Sequence, residues 1–178
     1  MDTTLPQRVR EAIRNVPGFP KPGIVFRDIT TLLLRPALTR EALDALWEPY
    51  RGRAQVIAGI ESRGFILGAP LAVFAGLPFV PIRKPGKLPA PTWRESYALE
   101  YGEDAIELHQ DALRGGENVL VVDDLLATGG TARAAEQLVE RCNAHVIGFA
   151  FLVELDFLNG RGKLGSYPVQ TLVHYAEE

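Results

Sequence analysis

The stretch VLVVDDLLATGGT at residues 119–131 decides the fold, because it joins an apolar run, two acidic residues and a glycine turn. Val119–Val122 is a row of four apolar β-formers, which is typical of a strand buried on both faces. Asp123 and Asp124 follow at its carboxyl end, and a helix is predicted from residue 131. A strand that passes through a glycine turn into a helix indicates an α/β unit.

The turn has the composition of a phosphate cradle, and its residues are Ala127, Thr128, Gly129, Gly130 and Thr131. The two glycines allow the backbone to curl so that successive N–H groups face inward. The helix start adds the positive end of its dipole, and the two threonine hydroxyls are further donors. The adjacent carboxylates repel each other unless hydroxyl donors or cations satisfy them, and a ribose supplies hydroxyls. The stretch therefore predicts a phosphorylated-sugar site, against the alternative of an ordinary strand–turn–helix unit.

Two other phosphate-binding motifs are absent from the sequence. No G-x-G-x-x-G follows a predicted strand. Gly86-Lys87 and Gly162-Lys163 are each followed by leucine rather than serine or threonine, so neither forms a Walker A loop.

Predicted strands alternate with predicted helices along the rest of the chain. We expect strands at residues 55–60, 79–82, 119–122, 146–153 and 169–173, and a hairpin from 96–101 and 105–108. We expect helices at residues 5–16, 38–50, 64–75 and 131–142, an extended arm at 19–34 and a basic loop at 83–94. This order predicts a mainly parallel, doubly wound α/β sheet, whose ligands lie beyond the carboxyl ends of the strands.

Length and composition limit the classes of function. A chain of 178 residues is predicted to form one domain, and a net charge of −3 does not indicate a nucleic-acid partner. The single cysteine, Cys142, and the lack of a Cys/His cluster fit a reducing, cytoplasmic setting. We expect neither a signal peptide nor a membrane span, because the apolar stretches are short or interrupted.

A second candidate site follows the predicted strand at residues 55–60. Small residues in the sequence ESRG let the backbone approach a ligand, and Arg63 beside Glu61 and Ser62 adds charge. An ordinary strand–helix turn fits this segment equally well.

A third candidate site is the sequence RKPGK at residues 83–87. It places Arg83, Lys84 and Lys87 within five positions. These cations form either a solvated basic loop or a site for a densely charged anion such as diphosphate.

Five segments resemble the type I phosphoribosyltransferases, which use 5-phosphoribosyl-1-diphosphate. The DD-x3-TGGT string is similar to their sugar signature, and ESRGF is similar to their diphosphate loop. The sequences RKxGKLP and SYxLEYG, with PGxVFRDI at residues 22–29, resemble the members that use adenine. The resemblance covers about Phe19–Leu158. It implies one domain over residues 1–178, a base-binding hood at residues 1–34, and a homodimer.

The resemblance also implies how the sugar is bound. Asp123 and Asp124 would meet the ribose 2′- and 3′-hydroxyls, and the loop at 127–131 would hold the 5′-phosphate. The other implied contacts to diphosphate come from Glu61, Ser62, Arg63, Arg83, Lys84 and Lys87. Mg²⁺ would be held mainly by the diphosphate sugar, with no direct protein ligand predicted. A basic residue of 83–87 would serve the neighbouring subunit.

Catalysis is assigned by resemblance to Glu100, whose carboxylate would reach N7 of the base and assist its loss of a proton. Tyr101 would help close the loop. Without the resemblance, Glu100 is interpreted as an exposed hairpin residue.

The base site is implied in the same way. The backbone of Val25 would read the pairing edge of the base, Phe26 would stack on its ring, and Arg27 would approach from the other side. Asp28 would orient Arg27, and Leu155 would form an apolar wall. Core packing is an alternative role for Phe26.

The implied reaction is adenine plus 5-phosphoribosyl-1-diphosphate giving AMP and diphosphate, a step of purine salvage. One alternative is transfer to a 6-oxopurine (hypoxanthine, guanine or xanthine), which the lack of a lysine in residues 152–158 disfavours. The others are a non-catalytic sensor of the diphosphate sugar and an unrelated nucleotide-binding module. Residues 159–178 are expected to carry nothing diagnostic.

Overall fold

The computed structural model describes residues 3–98 and 102–177. The strands of these residues are β1 (Arg14–Pro17), β2 (Val25–Asp28), β3 (Val56–Ile60), β4 (Phe79–Ile82), β5 (Thr92–Ala98), β6 (Glu103–His109), β7 (Asn118–Leu126), β8 (His145–Leu155) and β9 (Val169–Tyr175). The helices are α1 (Leu5–Ala12), α2 (Thr30–Leu33), α3 (Pro36–Trp47), α4 (Arg63–Ala75) and α5 (Gly130–Arg141). Short 3-10 helices occupy Glu48–Tyr50, Asp156–Leu158 and Gly160–Leu164.

The centre of the fold is a five-stranded sheet in the order β4-β3-β7-β8-β9. Every neighbouring pair in it is parallel. Helices α3 and α4 pack on one face, and α5 packs on the other. The predicted doubly wound parallel sheet is therefore confirmed.

Strand β7 shows why the sheet is covered on both faces. Leu120 and Val122 point into a core shared with α3 and α4, whereas Val119 and Val121 point into a core shared with α5. All four side chains are fully buried. A strand that is apolar at every position suits this central place, because successive side chains point to opposite faces.

The first predicted helix is too long. Helix α1 ends at Ala12, and the predicted helical residues 14–16 belong instead to β1, which pairs antiparallel with β2. The apolar spacing of Val9, Ile13 and Val16 fits a helix. In the structure, however, Val16 pairs with Phe26 of β2, and this tertiary pairing overrides the helical spacing. The predicted extended arm at 19–34 likewise contains β2 and the short helix α2.

The predicted hairpin is confirmed as the antiparallel pair β5 and β6, and both strands begin earlier than expected. Residues 99–101 of the predicted first strand lie outside the described residues. Strand β5 begins at Thr92, so the basic loop ends before residue 94. The hairpin packs against α5. In the described part of the chain, no helix is long and apolar enough to cross a membrane.

Candidate active site

The glycine loop lies where β7 ends and α5 begins. Gly129 adopts a φ of +77° at the N-cap of α5, a conformation that L side chains rarely adopt. The loop lines a cavity of about 70 Å³, whose walls are Asp123, Leu125, Leu126, Ala127, Thr128, Gly129, Gly130, Thr131, Ala132 and Phe151. This small enclosure beside a helix start suits a phosphate group.

The acidic pair is packed against the start of α4. Arg63 Nε lies 2.8 Å from Asp124 Oδ2, and the backbone N–H of Asp124 donates to Asp123 Oδ1 at 2.8 Å. A Cβ on Gly64 would lie 2.9 Å from Asp123 Oδ1, so only glycine permits this approach. The ESRG segment and the acidic pair therefore form one structure.

Burial raises the pKa values of both carboxyl groups of the acidic pair. Burial raises the pKa of Asp123 well above its ordinary value, and the Asp124 charge raises it further. Burial also raises the pKa of Asp124, although the Arg63 charge offsets part of this effect. Hydroxyl donors or positive charge from a ligand would relieve both carboxylates.

A larger cleft of about 520 Å³ brings the predicted sugar-binding segments together. Its lining residues are Ile60, Glu61, Ser62, Arg63, Lys84, Tyr97, Asp123, Asp124, Leu125, Ala127 and Thr131. Arg83 and Lys87, which are predicted diphosphate contacts, do not line this cleft. Tyr97 is a lining residue that sequence reasoning missed, although it lies inside the SYxLEYG motif.

Two cations of the basic loop are held by carboxylates. Arg83 Nε and Nη2 each donate to the Glu61 carboxylate at 3.1 Å, and hydrogen bonding from Arg83 lowers the pKa of Glu61. Lys84 Nζ bonds Asp104 and the Tyr97 hydroxyl, the latter at 3.0 Å. Burial lowers the pKa of Lys84, but these two hydrogen bonds raise it above its ordinary value. Lys84 is thus positioned at the cleft wall as a charged group.

An apolar pocket of about 300 Å³ adjoins the glycine loop. It is lined by Ile24, Val25, Arg27, Thr128, Leu155, Phe157 and Leu158. Three predicted base contacts, Val25, Arg27 and Leu155, therefore share one pocket with a residue of the glycine loop. Phe157 and Leu158, two and three positions after Leu155, line the same pocket, as expected for a segment at residues 152–158 that follows a strand beside the base.

Phe26, a predicted base contact, does not line this apolar pocket. Its ring contacts that of Phe19 edge-on at 5.1 Å. The guanidinium of Arg63 lies 4.8 Å from its ring centre. Phe26 therefore joins the arm to the ESRG segment.

Asp28 does not orient Arg27, and that expectation is wrong. Asp28 accepts hydrogen bonds from Thr30 and Arg14, which lower its pKa to about 2. Arg27 instead donates to Asn15 Oδ1 at 2.8 Å. Adjacent residues of a strand point to opposite faces, so the two side chains diverge.

Glu100 and Tyr101, the predicted catalytic residues, lie outside the described residues. The strand that leads to them, β5, reaches the wall of the larger cleft at Tyr97.

The family profile, the sequence relatives and the solved structures that match this chain all belong to the phosphoribosyltransferases. The profile for the phosphoribosyl transferase domain matches residues 31–169. The chain is 56% identical over 168 residues to an adenine phosphoribosyltransferase of Synechococcus, covering 94% of this chain and 98% of that protein. It is 51% identical over 175 residues to the Myxococcus xanthus adenine phosphoribosyltransferase, covering 98% and 95%.

Solved structures agree. The adenine phosphoribosyltransferase of Thermoanaerobacter pseudethanolicus superposes with a TM-score of 0.93 at 46% identity, covering 97% of this chain and 100% of that chain. The Saccharomyces cerevisiae enzyme, solved with adenine and an imino-altritol bisphosphate, gives 0.89 at 42% identity, covering 94% and 98%.

A parallel sheet with an acidic pair and a glycine loop at its carboxyl edge defines a type I phosphoribosyltransferase, and the chain belongs to that family. Within the family, its sequence and its fold are those of the adenine phosphoribosyltransferases.

Proposed function

We propose that the protein transfers the phosphoribosyl group of 5-phosphoribosyl-1-diphosphate to adenine, giving AMP and diphosphate in purine salvage. The observation that carries this proposal is the adjacency of two sites. Thr128 lines both the phosphate-sized cavity and the apolar pocket, so a ligand with a phosphate at one end and a base at the other fits across them.

The larger cleft supports the proposed sugar contacts. Asp123 and Asp124 would accept hydrogen bonds from the ribose hydroxyls, which relieves their repulsion. Ser62, Arg63 and Lys84 line the same cleft and would contact diphosphate as its charge develops. Glu61 already accepts three hydrogen bonds, from the Arg83 guanidinium and the Lys84 amide, and would position these cations.

The cleft also fits Mg²⁺ that enters with the sugar. The raised pKa of Asp123 marks a carboxylate that favours positive charge nearby, while Glu61 is occupied by Arg83. We propose that Mg²⁺ is held mainly by the diphosphate sugar beside Asp123. When bound, the ion would neutralise charge on the departing diphosphate.

The apolar pocket supports adenine as the base. Phe157 and Leu155 supply flat and apolar walls. Arg27 Nε is buried and has no hydrogen-bond partner among the described residues, which leaves a donor for a ligand. Among the described residues that line the pocket there is no lysine, so a 6-oxo group would lack that donor.

Glu100 completes the proposal as the carboxylate that assists proton loss from the base, and Tyr101 as a residue that helps close the site. We also propose a single domain with residues 1–34 as its hood, a homodimer, and a cytoplasmic setting. A basic residue of the loop at 83–87 would then serve the partner, which fits the placement of Arg83 and Lys87 off the larger cleft.

A base panel tests the proposed function. Purified protein is mixed with 5-phosphoribosyl-1-diphosphate, Mg²⁺ and one labelled base at a time, and the nucleotide formed is measured. We expect AMP from adenine at a kcat/KM at least about 100-fold above that of hypoxanthine, guanine or xanthine. Preferred turnover of a 6-oxopurine would replace the proposed substrate, and binding of the sugar without any turnover would indicate a sensor.

A further inference from the structure

We propose that Gly160 and Arg161 are positioning residues for the glycine loop, so that they control affinity for the 5′-phosphate. The proposal rests on the proposed phosphoribosyl transfer. Both residues belong to residues 156–164, here named the strap, which follows β8 as two short 3-10 helices. The sequence gives the strap no recognisable motif.

Gly160 lies directly against the backbone of the glycine loop. A Cβ built on Gly160 would overlap the carbonyl oxygen of Ala127 and lie 2.9 Å from the backbone nitrogen of Gly129. A Cβ built on Gly129 would in turn lie 3.1 Å from the carbonyl carbon of Gly160. The two backbones therefore touch without an intervening side chain, and the strap fixes how far the loop can retreat from a phosphate.

Arg161 holds Gly160 in that place. Its Nε and Nη2 donate to the Glu154 carboxylate at 3.0 and 2.5 Å. Its Nη1 donates to the carbonyl oxygen of Val169 at 2.9 Å, and Nη2 reaches Thr171 Oγ1 at 3.2 Å. The side chain thus ties the strap to both β8 and β9.

The Glu154 carboxylate is buried within the sheet, on β8, and is not a surface charge. It is 7% exposed, and its residue pairs in register with Leu126 at the end of β7. Burial raises the pKa of Glu154, but hydrogen bonds from Arg161 and Thr171 outweigh burial and lower it below its ordinary value. A fork-to-carboxylate pair of this kind restrains direction as well as distance. The loop and its support therefore rest on adjacent strands.

The strap also carries Phe157 and Leu158 of the apolar pocket. Since Gly160 comes two residues after Leu158, one short segment touches both the phosphate cavity and the base pocket. A Cβ added at Gly160 should disturb the phosphate end alone, because the three heavy atoms nearest to it belong to Ala127 and Gly129.

Gly160→Ala tests the contact, and Gly162→Ala is its matched control. Neither glycine has a positive φ, so alanine is conformationally allowed at both positions and only the surroundings differ. The three heavy atoms nearest to a Cβ on Gly162 all belong to the side chain of Asn159, the closest at 3.3 Å, and none is backbone. Calorimetry with ribose 5-phosphate should show binding about 10-fold weaker in Gly160→Ala and within about twofold of wild type in Gly162→Ala.

Steady-state kinetics separates positioning from general damage. In Gly160→Ala, the KM for 5-phosphoribosyl-1-diphosphate should rise about 10-fold, whereas the KM for adenine should change less than about twofold. Equal rises in both KM values would show general damage and overturn the proposal. So would ribose 5-phosphate binding as tight as in wild type.

Arg161→Lys is a second variant in case Gly160→Ala does not fold. Lysine keeps the charge but cannot donate through a two-pronged fork, so ribose 5-phosphate should bind about threefold more weakly. Wild-type affinity in this variant would exclude Arg161 from positioning. The two failures are distinguishable, because failure of the proposed function is measured as missing AMP formation by the wild-type protein in the base panel. Failure of the present proposal is measured as unchanged ribose 5-phosphate affinity in the variants.

Discussion

At the residue scale, the site holds charges that oppose folding. Asp123 and Asp124 lie side by side with Arg63 as a close cation, and burial raises the pKa of both carboxyl groups. A raised pKa means that the folded chain favours the protonated carboxyl, so its ionisation near neutral pH lowers the free energy of unfolding. Functional sites often carry destabilising features of this type.

Asp123→Asn should therefore raise the free energy of unfolding while lowering turnover. Asparagine keeps an oxygen to accept the N–H of Asp124 but removes the charge. We expect the free energy of unfolding to rise by about 1 kcal/mol at neutral pH, measured by urea denaturation, and turnover to fall at least about 100-fold.

The pH dependence of the stability difference between Asp123→Asn and wild type tests whether the raised pKa of Asp123 is its cause. The wild-type Asp123 becomes protonated as pH falls from its raised pKa towards the ordinary value of 3.8, so the advantage of the variant should shrink over that window. An advantage that is constant with pH, or a variant less stable than wild type at neutral pH, would contradict the assignment.

Glu100→Ala tests the proposed proton acceptor. Sugar binding should persist, because the sugar contacts come from other segments, whereas kcat should fall about 100-fold or more. Glu103→Ala is the matched control, since Glu103 is an exposed residue at the start of β6. A wild-type rate in Glu100→Ala would remove Glu100 from the mechanism.

At the element scale, the two-stranded arm is fastened to the sheet through Tyr175 at the end of β9. The guanidinium carbons of Arg27 and Arg10 lie 3.9 and 4.5 Å from the centre of its ring. Tyr175 pairs in register with Leu155, which lines the apolar pocket. The ring thus links α1, the arm and the wall of the pocket.

Tyr175→Leu should loosen the arm, because it removes two cation–π contacts worth about 1 kcal/mol each. We expect a higher KM for adenine, a nearly unchanged KM for the diphosphate sugar, and faster proteolysis near residues 18–24. Tyr175→Phe is the control, since the Tyr175 hydroxyl has no hydrogen-bond partner within the described residues. Equal behaviour of the leucine and phenylalanine variants would show that the ring does not fasten the arm.

Local signals explain what could be predicted at this scale, and distant contacts explain what could not. The strand, acidic pair and glycine turn at 119–131 are contiguous, so their structure could be predicted from neighbours in sequence. Strand β1 depends on pairing with β2, and apolar spacing alone fits a helix there equally well. The role of Gly160 depends on its contact with Gly129, which is 31 positions away in sequence and has no local signal.

At the scale of the whole molecule, an exposed apolar surface fits the proposed homodimer. Leu34, Ile66, Val73 and Phe74 are 81%, 42%, 77% and 52% exposed. Three of them lie on α4, the helix that begins at Arg63 in the larger cleft. Exposed apolar side chains that share one helix are typical of protein–protein contacts.

Val73→Glu should weaken the dimer, because a charge would be buried in its interface. Sedimentation equilibrium should give twice the 19.5-kDa chain mass for wild type and the single-chain mass for the variant at micromolar concentration. Ser166→Glu adds the same charge at an exposed position elsewhere and should remain dimeric. A wild-type protein that sediments as a single chain would reject the dimer.

The central claim is that the loop at residues 127–131 binds the 5′-phosphate of the sugar. A crystal structure with ribose 5-phosphate tests it most directly. The account predicts the phosphate within hydrogen-bond distance, about 3 Å, of backbone N–H groups of that loop, with the ribose hydroxyls at Asp123 and Asp124. A phosphate bound at the basic loop instead, with residues 127–131 empty, would contradict the account.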